Sequence, residues 1–141
     1  SFNSIINQVI GEDKNSHLVN NNIPEDLLFN GDDFYLISLF QNLLDNAQKY
    51  SPDGSEINIY SENRPNKIIL CISDQGVGVA DAEKSKIFDR FYRTEDEETR
   101  SSKGTGLGLF LVDQIVRMHG GKIICKNNIP KGSIFELQFK K

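Results

Sequence analysis

The chain has 141 residues, of which 38% are hydrophobic, enough to form one core without disulfides or metal ions. It carries 16 Lys and Arg against 20 Asp and Glu, for a formal net charge of −4, and no basic stripe follows its aromatic residues, which argues against nucleic acid as a partner. No apolar run approaches the roughly 20 residues that cross a bilayer and the N-terminus lacks the pattern of a signal peptide, so we expect one soluble domain over residues 1–141.

The first half of the chain predicts two helices separated by short extended segments. Apolar residues at helical spacing predict a short amphipathic helix over residues 2–10, which Gly11 would end. Residues 16–30 have the composition of two short strands broken at Pro24. From Asp32 to Tyr50 the apolar residues recur with the helical period, and this is the clearest helix of the chain.

The second half predicts two pairs of strands and a further helix. Residues 55–62 and 66–74 are strand-like and share a turn-rich link, which is typical of a hairpin. A helix from about Thr105 to His119 is followed by strand-like residues 122–128 and 131–139. Because the strands are grouped instead of alternating with helices, we expect an α+β fold in which helices cover one face of a sheet.

Residues 94–106 contain no apolar side chain. A structureless connection of this length is uncommon inside a compact domain and is typical of a functional lid. The residues before it include Phe88 and Phe91, which we expect to be core anchors that moor this segment.

Cys71 and Cys125 each lie inside an apolar run. Free cysteine in such a run usually behaves as a small buried hydrophobic residue. We therefore expect neither a disulfide nor a metal site from them.

Three polar residues share one flank of the clearest helix. At about 100° per residue, Asn42, Asn46 and Lys49 fall close together beside its apolar stripe. One interpretation is a solvated flank. The other is a ligand site, because asparagine is a mediocre helix former, amide oxygens suit Mg²⁺, and a lysine supplies a point charge to phosphates.

Asp74 ends the second strand of the predicted hairpin and is followed by Gly76 and Gly78. This pattern fits an ordinary tight turn, and it equally fits a loop that lets a ligand approach the backbone. A buried carboxylate at this place needs a hydrogen-bond donor, and the exocyclic amine of a base is one candidate.

Gly104, Gly106 and Gly108 alternate around the start of the third predicted helix. Bare backbone N–H groups at a helix N-terminus form a site for an anion such as phosphate. Tight packing of a helix start explains the same glycines. The chain has no Walker motif, so a nucleotide site here would be of another type.

Four motifs in this order resemble the N, G1, F and G2 boxes of the catalytic ATP-binding domain of two-component sensor histidine kinases: NLLDNAQKYSPDG, DQGVGV, IFDRFYR and KGTGLGLFLV. That family belongs to the group with the Bergerat nucleotide fold. The resemblance runs from about Leu18 to Phe139. It implies a two-layer α/β sandwich with a mixed, about five-stranded sheet and about three helices on one face.

The resemblance also implies roles for individual residues. Asn46 would ligate Mg²⁺ and Asn42 would support the metal or its water, while Asp74 would accept a hydrogen bond from the adenine amino group. The implied catalytic residues are Asn42, Lys49 and Arg93, of which Arg93 would reach the terminal phosphate. The other implied ATP contacts are Tyr50, Gly76, Gly78, Val79, Phe88, Gly104, Thr105, Gly106, Leu107 and Gly108, and residues 94–103 would be the ATP lid.

The expected reaction follows from Asn42. In the Hsp90-like hydrolases a glutamate at the corresponding place activates water, and an amide cannot take up a proton at neutral pH. The resemblance therefore implies transfer of the γ-phosphoryl group of Mg-ATP to a histidine, and neither His17 nor His119 has the family's phosphoacceptor context.

The implied partners lie outside this chain. They are the dimerisation and phosphoacceptor domain of the same kinase and, indirectly, a response regulator. We expect a monomeric cytoplasmic domain of a membrane-associated receptor, with residues 1–11 as the end of the connection to the dimerisation domain. Two alternatives are a nucleotide-sensing module without transfer activity and a protein-serine kinase or slow ATPase of the same fold.

Overall fold

The structure is a computed structural model, and it describes residues 1–12, 18–89 and 108–140. The helices are α1 (Phe2–Glu12), α2 (Asp33–Tyr50), α3 (Gly108–Met118) and a short 3₁₀ helix (Asp81–Glu83). The strands are β1 (Leu18–Asn21), β2 (Glu56–Asn63), β3 (Lys67–Ser73), β4 (Lys122–Asn127) and β5 (Ser133–Lys140).

The five strands form one mixed sheet in the order β1-β2-β3-β5-β4. β1 runs parallel to β2, and the other neighbouring strands are antiparallel. The predicted hairpin is β2–β3, and β4–β5 is a second one. The α+β class and the mixed five-stranded sheet are confirmed.

The two faces of the sheet are covered differently. On β3, Ile68, Leu70 and Ile72 belong to the same core cluster as buried residues of all three α-helices. Cys71, on the opposite face, lies across from Glu136 of β5, and both are buried. Lys126 forms an ion pair of 2.9 Å with Glu136 on that face. The helices therefore cover one face, and long polar side chains contribute to covering the other.

An aromatic cluster joins the N-terminal helix to the last strand. The ring of Phe2 stacks on Phe29 and Phe139, with centroid distances of 5.0 and 6.0 Å, and meets Phe40 edge to face at 6.0 Å. Each such pair adds to the area that the rings bury. Phe2 of α1 thereby packs against the last strand through Phe139 and against α2 through Phe40.

The ends of α2 and α3 are fixed by side chains. The carboxylate of Asp32 caps α2 by accepting from the backbone N–H groups of Phe34 and Tyr35, at 2.9 and 3.3 Å. His119 follows α3, and its Nε2 accepts from the N–H of Asp32 at 3.3 Å. Its Nδ1 therefore carries the hydrogen and donates to the carbonyl of Ile115 at 2.8 Å.

The segment after β1 differs from the prediction. Residues 22–32 contain no second strand. Leu27 donates to the carbonyl of Pro24 in a turn, and Phe29 turns inward to stack on Phe2. Ile23, Leu27 and Phe29 pack in or against the core without pairing in the sheet, whereas Leu28 is exposed. Gly11 also lies within α1 and does not end it.

Two predicted features lie outside the described residues. These are the start of the third helix at Thr105 and the position of His17. Among the described helices, none is both long and apolar enough to span a membrane.

We expect Phe40→Ala to lower the free energy of unfolding by about 3–5 kcal/mol, because Phe40 is 2% exposed in the core and its removal leaves a cavity. Phe34→Ala on the same helix is the matched control, since Phe34 is 74% exposed, and it should change stability by no more than about 0.5 kcal/mol. Urea titrations of both variants measure the difference. Equal losses would contradict the assignment of the core.

Candidate functional site

The flank of α2 that carries the predicted polar residues borders the N-terminus of α3. Asn42, Asn46 and Lys49 are all half-buried. The side-chain amide of Asn42 donates to the carbonyl of Ser38 at 2.8 Å. A Cβ atom added at Gly108 would lie 3.3 Å from Oδ1 of Asn42. A helix N-terminus, with its partial positive charge, thus lies against this flank.

The end of α2 also contacts the loop that follows β3. A Cβ atom at Gly76 would lie 2.3 Å from the backbone oxygen of Tyr50, which is closer than any side chain can approach. The ammonium of Lys49 lies 5.1 Å from the centroid of the Tyr50 ring, within range of a cation–π contact. Gly76 therefore allows two of the predicted motifs to meet.

Asp74 is the buried carboxylate of this site, with 3% of its surface exposed. Its Oδ1 accepts from the backbone N–H groups of Gly76 and Ser133, at 2.9 and 3.2 Å. Both of these bonds end on Oδ1 and neither involves Oδ2. Burial raises the pKa of the Asp74 carboxyl above its ordinary value, and the two backbone hydrogen bonds oppose that rise.

The sequence did not predict the residues of the β4–β5 turn that surround Asp74. The side-chain amide of Asn128 donates to the Asp74 carbonyl at 2.8 Å, and the N–H of Asp74 donates to the Ser133 carbonyl at 2.9 Å. Gly132 has a φ of 106°, and a Cβ atom there would lie 2.0 Å from the backbone oxygen of Asp74. The Gly132–Ser133 pair at the start of the last strand was the available signal, but only the strand register shows which residues it contacts.

Three further predicted residues line the loop after Asp74. Gly78 has a φ of 77°, which favours glycine, and a Cβ atom there would lie 3.3 Å from the Gly132 oxygen. Val79 and Phe88 are partly buried against the core, and Phe88 meets Phe135 edge to face at 6.1 Å. The prediction that Phe88 anchors this region to the core agrees with that contact.

The remaining predicted site residues lie outside the part of the chain that the structure describes. They are Arg93, Gly104, Thr105, Gly106 and Leu107, together with the predicted lid at residues 94–103.

Both cysteines are free thiols. Cys71 is buried and Cys125 half-buried, and burial raises the pKa of each thiol to about 11. Within residues 1–12, 18–89 and 108–140, no group of three His, Cys, Asp or Glu side chains could hold a metal ion. The amide oxygen of Asn46 on α2 is a candidate ligand for Mg²⁺, which also takes oxygen from water and phosphate.

A cavity of about 350 Å³ lies at the other end of the sheet. Lys67, Lys122 and Lys140 contribute to its lining, and Lys67 begins β3 whereas Asp74 follows the end of that strand. It is separate from the site around Asp74.

Comparison with known proteins places this arrangement in a family. Residues 31–141 match the family described as Histidine kinase-, DNA gyrase B-, and HSP90-like ATPase. The sensor protein SrrB of Staphylococcus aureus is 41% identical over 100 residues, which are 71% of this chain and 17% of SrrB. The matched part of the chain thus spans less than a fifth of the length of SrrB.

Solved structures show the same fold. The mycobacterial sensor histidine kinase MprB has a TM-score of 0.87 and 28% identity, covering 97% of this chain and 93% of that one. The catalytic domain of the histidine kinase ThkA has a TM-score of 0.82 and 28% identity, covering 99% and 93%. These matches confirm the resemblance predicted from the four motifs, and the chain therefore belongs to the histidine kinase-, DNA gyrase B- and HSP90-like ATPase family, as a relative of sensor histidine kinases.

Proposed function

We propose that this chain is the catalytic domain of a sensor histidine kinase that binds Mg-ATP and transfers the γ-phosphoryl group to a histidine on a separate dimerisation domain. One observation carries the proposal. A buried carboxylate, Asp74, lies in one continuous site with the polar flank of α2, because the Tyr50 carbonyl closes on Gly76. A base pocket and a phosphate-binding flank are thereby held next to each other.

Asp74 suits adenine better than guanine. An ionised carboxylate only accepts hydrogen bonds. Its Oδ1 already accepts from Gly76 and Ser133. We therefore assign Oδ2 as the acceptor for the ligand. The 6-amino group of adenine would donate to it, whereas guanine would present a carbonyl oxygen there and leave a buried acceptor facing an acceptor.

The flank of α2 would hold the phosphates and the metal. Asn46 would supply an amide oxygen to Mg²⁺, Asn42 would support the metal or its water, and Lys49 and Tyr50 would contact phosphate oxygens. Bound Mg²⁺ would neutralise charge on the phosphates. The N-terminus of α3 at Gly108 adds partial positive charge beside Asn42. The sequence motifs add further proposed phosphate contacts, which are Arg93, Gly104, Thr105, Gly106 and Leu107.

The residues present favour transfer over hydrolysis. Asn42 cannot act as a general base, so water near the terminal phosphate would not be activated by it. Transfer would then depend on positioning and on stabilisation of charge. Both ring nitrogens of His119 are used in structural hydrogen bonds to Asp32 and Ile115. His119 is therefore engaged in the fold. The acceptor that we propose is a histidine on another domain, in a cytoplasmic receptor that would signal to a response regulator.

Binding calorimetry tests the base pocket. The wild-type chain should bind a non-hydrolysable ATP analogue in the presence of Mg²⁺, with about −5 to −8 kcal/mol of binding free energy, and should bind the GTP analogue more weakly. Asp74→Asn should abolish this preference, because a buried donor would then face the adenine amine. Equal affinity of that variant for the two analogues is expected, and retention of the wild-type preference would contradict the role of Asp74.

The same variant should be more stable than the wild type at neutral pH. The pKa of the Asp74 carboxyl is raised in the folded state. Its charge therefore destabilises the fold as pH rises above the pKa of an aspartate in the unfolded chain, about 4. The amide oxygen that the substitution introduces can still accept from Gly76 and Ser133 without that charge. Urea titrations from pH 4 to pH 8 should show the advantage of Asp74→Asn growing with pH. A constant difference would argue against a buried charge.

Phosphoryl transfer can be followed with radiolabelled ATP after adding a dimerisation domain that carries the acceptor histidine. Asn46→Asp should lower the transfer rate by at least about tenfold, because it changes the charge and geometry at the metal. Asn63→Asp is the matched control, since Asn63 is exposed at the end of β2, and it should transfer at the wild-type rate. ATP binding without transfer by the wild-type chain would instead favour a nucleotide-sensing module.

A further inference from the structure

Asn128 reaches a residue that is not its neighbour in the sheet. It directly follows β4, whereas Asp74 directly follows β3, and β5 lies between these strands. Its side-chain nitrogen nevertheless donates to the backbone oxygen of Asp74 at 2.8 Å. The β4–β5 turn thus crosses the start of β5 to contact the other side of it.

A glycine makes this crossing possible. Gly132 lies between Asn128 and Asp74, and a Cβ atom there would be 2.0 Å from the backbone oxygen of Asp74. No residue with a side chain fits without a backbone shift. Because the chain at Gly132 lies directly against Asp74, the short side chain of Asn128 can span the remaining distance.

The orientation of the Asn128 amide is fixed as well. Its oxygen accepts from the N–H of Ile129 at 2.9 Å, and its own backbone N–H donates to the Gly132 carbonyl at 3.0 Å. Rotating the amide by half a turn would place its NH₂ group against an N–H and its oxygen against a carbonyl. Only one orientation therefore satisfies both ends of the amide.

Three groups of Asp74 are thereby hydrogen-bonded to the chain between the end of β4 and the start of β5. Ser133 pairs with its backbone N–H and with Oδ1, and Asn128 pairs with its carbonyl. We propose that Asn128 is a positioning residue that sets the direction of the Asp74 carboxylate and so the selectivity for adenine, an inference that rests on the proposed function. The turn does not need to touch the nucleotide to act in this way.

Asn128→Ala tests the inference in the chain as it stands. Without the Asn128 donor, the Asp74 carbonyl loses a partner and the Asp74 backbone, which carries the carboxylate, can shift. We expect about a tenfold loss of affinity for the ATP analogue and a smaller ratio of ATP to GTP affinity. Affinity for inorganic tripolyphosphate, which lacks a base, should be unchanged. Calorimetry measures all three, and circular dichroism checks folding.

Asn127→Ala is the matched control, because Asn127 is an exposed asparagine one position earlier, and its affinities should stay within about twofold of the wild type. If Asn128→Ala is unfolded, Asn128→Gln replaces it, since this variant displaces the amide by one methylene and should also lose selectivity. Unchanged selectivity in a folded variant, or equal losses for ATP and tripolyphosphate, would overturn the inference alone. A wild-type chain that binds no nucleotide would overturn the proposed function and the inference with it.

Discussion

The burial of one carboxylate shapes the rest of the site. Asp74 is removed from water at the end of the central strand, and a buried charge is costly unless hydrogen bonds compensate for it. Two backbone N–H groups converge on Oδ1, one from the loop after β3 and one from the start of β5. The backbone around Asp74 is also packed unusually closely at Gly76 and Gly132, where a Cβ atom would not fit.

Two glycines provide this close approach, and each joins a different pair of elements. Gly76 admits the Tyr50 carbonyl, so the end of α2 meets the loop after β3. Gly132 admits the Asp74 carbonyl, so the β4–β5 turn meets the end of β3. The glycines that flank Asp74 along the sequence and in space therefore act first as packing positions. Any binding of a base depends on the geometry that this packing fixes.

The two ends of the sheet have different roles. The proposed base pocket lies where β3 ends and β5 begins, and the proposed phosphate-binding flank lies on α2, beside the N-terminus of α3 at Gly108. At the opposite end an aromatic cluster around Phe2 ties α1 to Phe139. That cluster and the core are apolar, whereas the site contains a buried carboxylate and glycines with positive φ angles.

The sequence by itself determined the helices, the two hairpins, the α+β class and the family, because these follow from local periodicity and from motifs that are contiguous in the chain. It also predicted Asp74, Gly76 and the flank of Asn42, Asn46 and Lys49 as site residues, and the structure places Gly76 against the end of α2. The strand that it predicted after Pro24, within residues 16–30, was wrong, since the same apolar residues suit either a strand or a turn packed on the core. Only the tertiary structure decided that Asn128, Gly132 and Ser133 surround Asp74, because that contact depends on strand order and register, which no local pattern encodes.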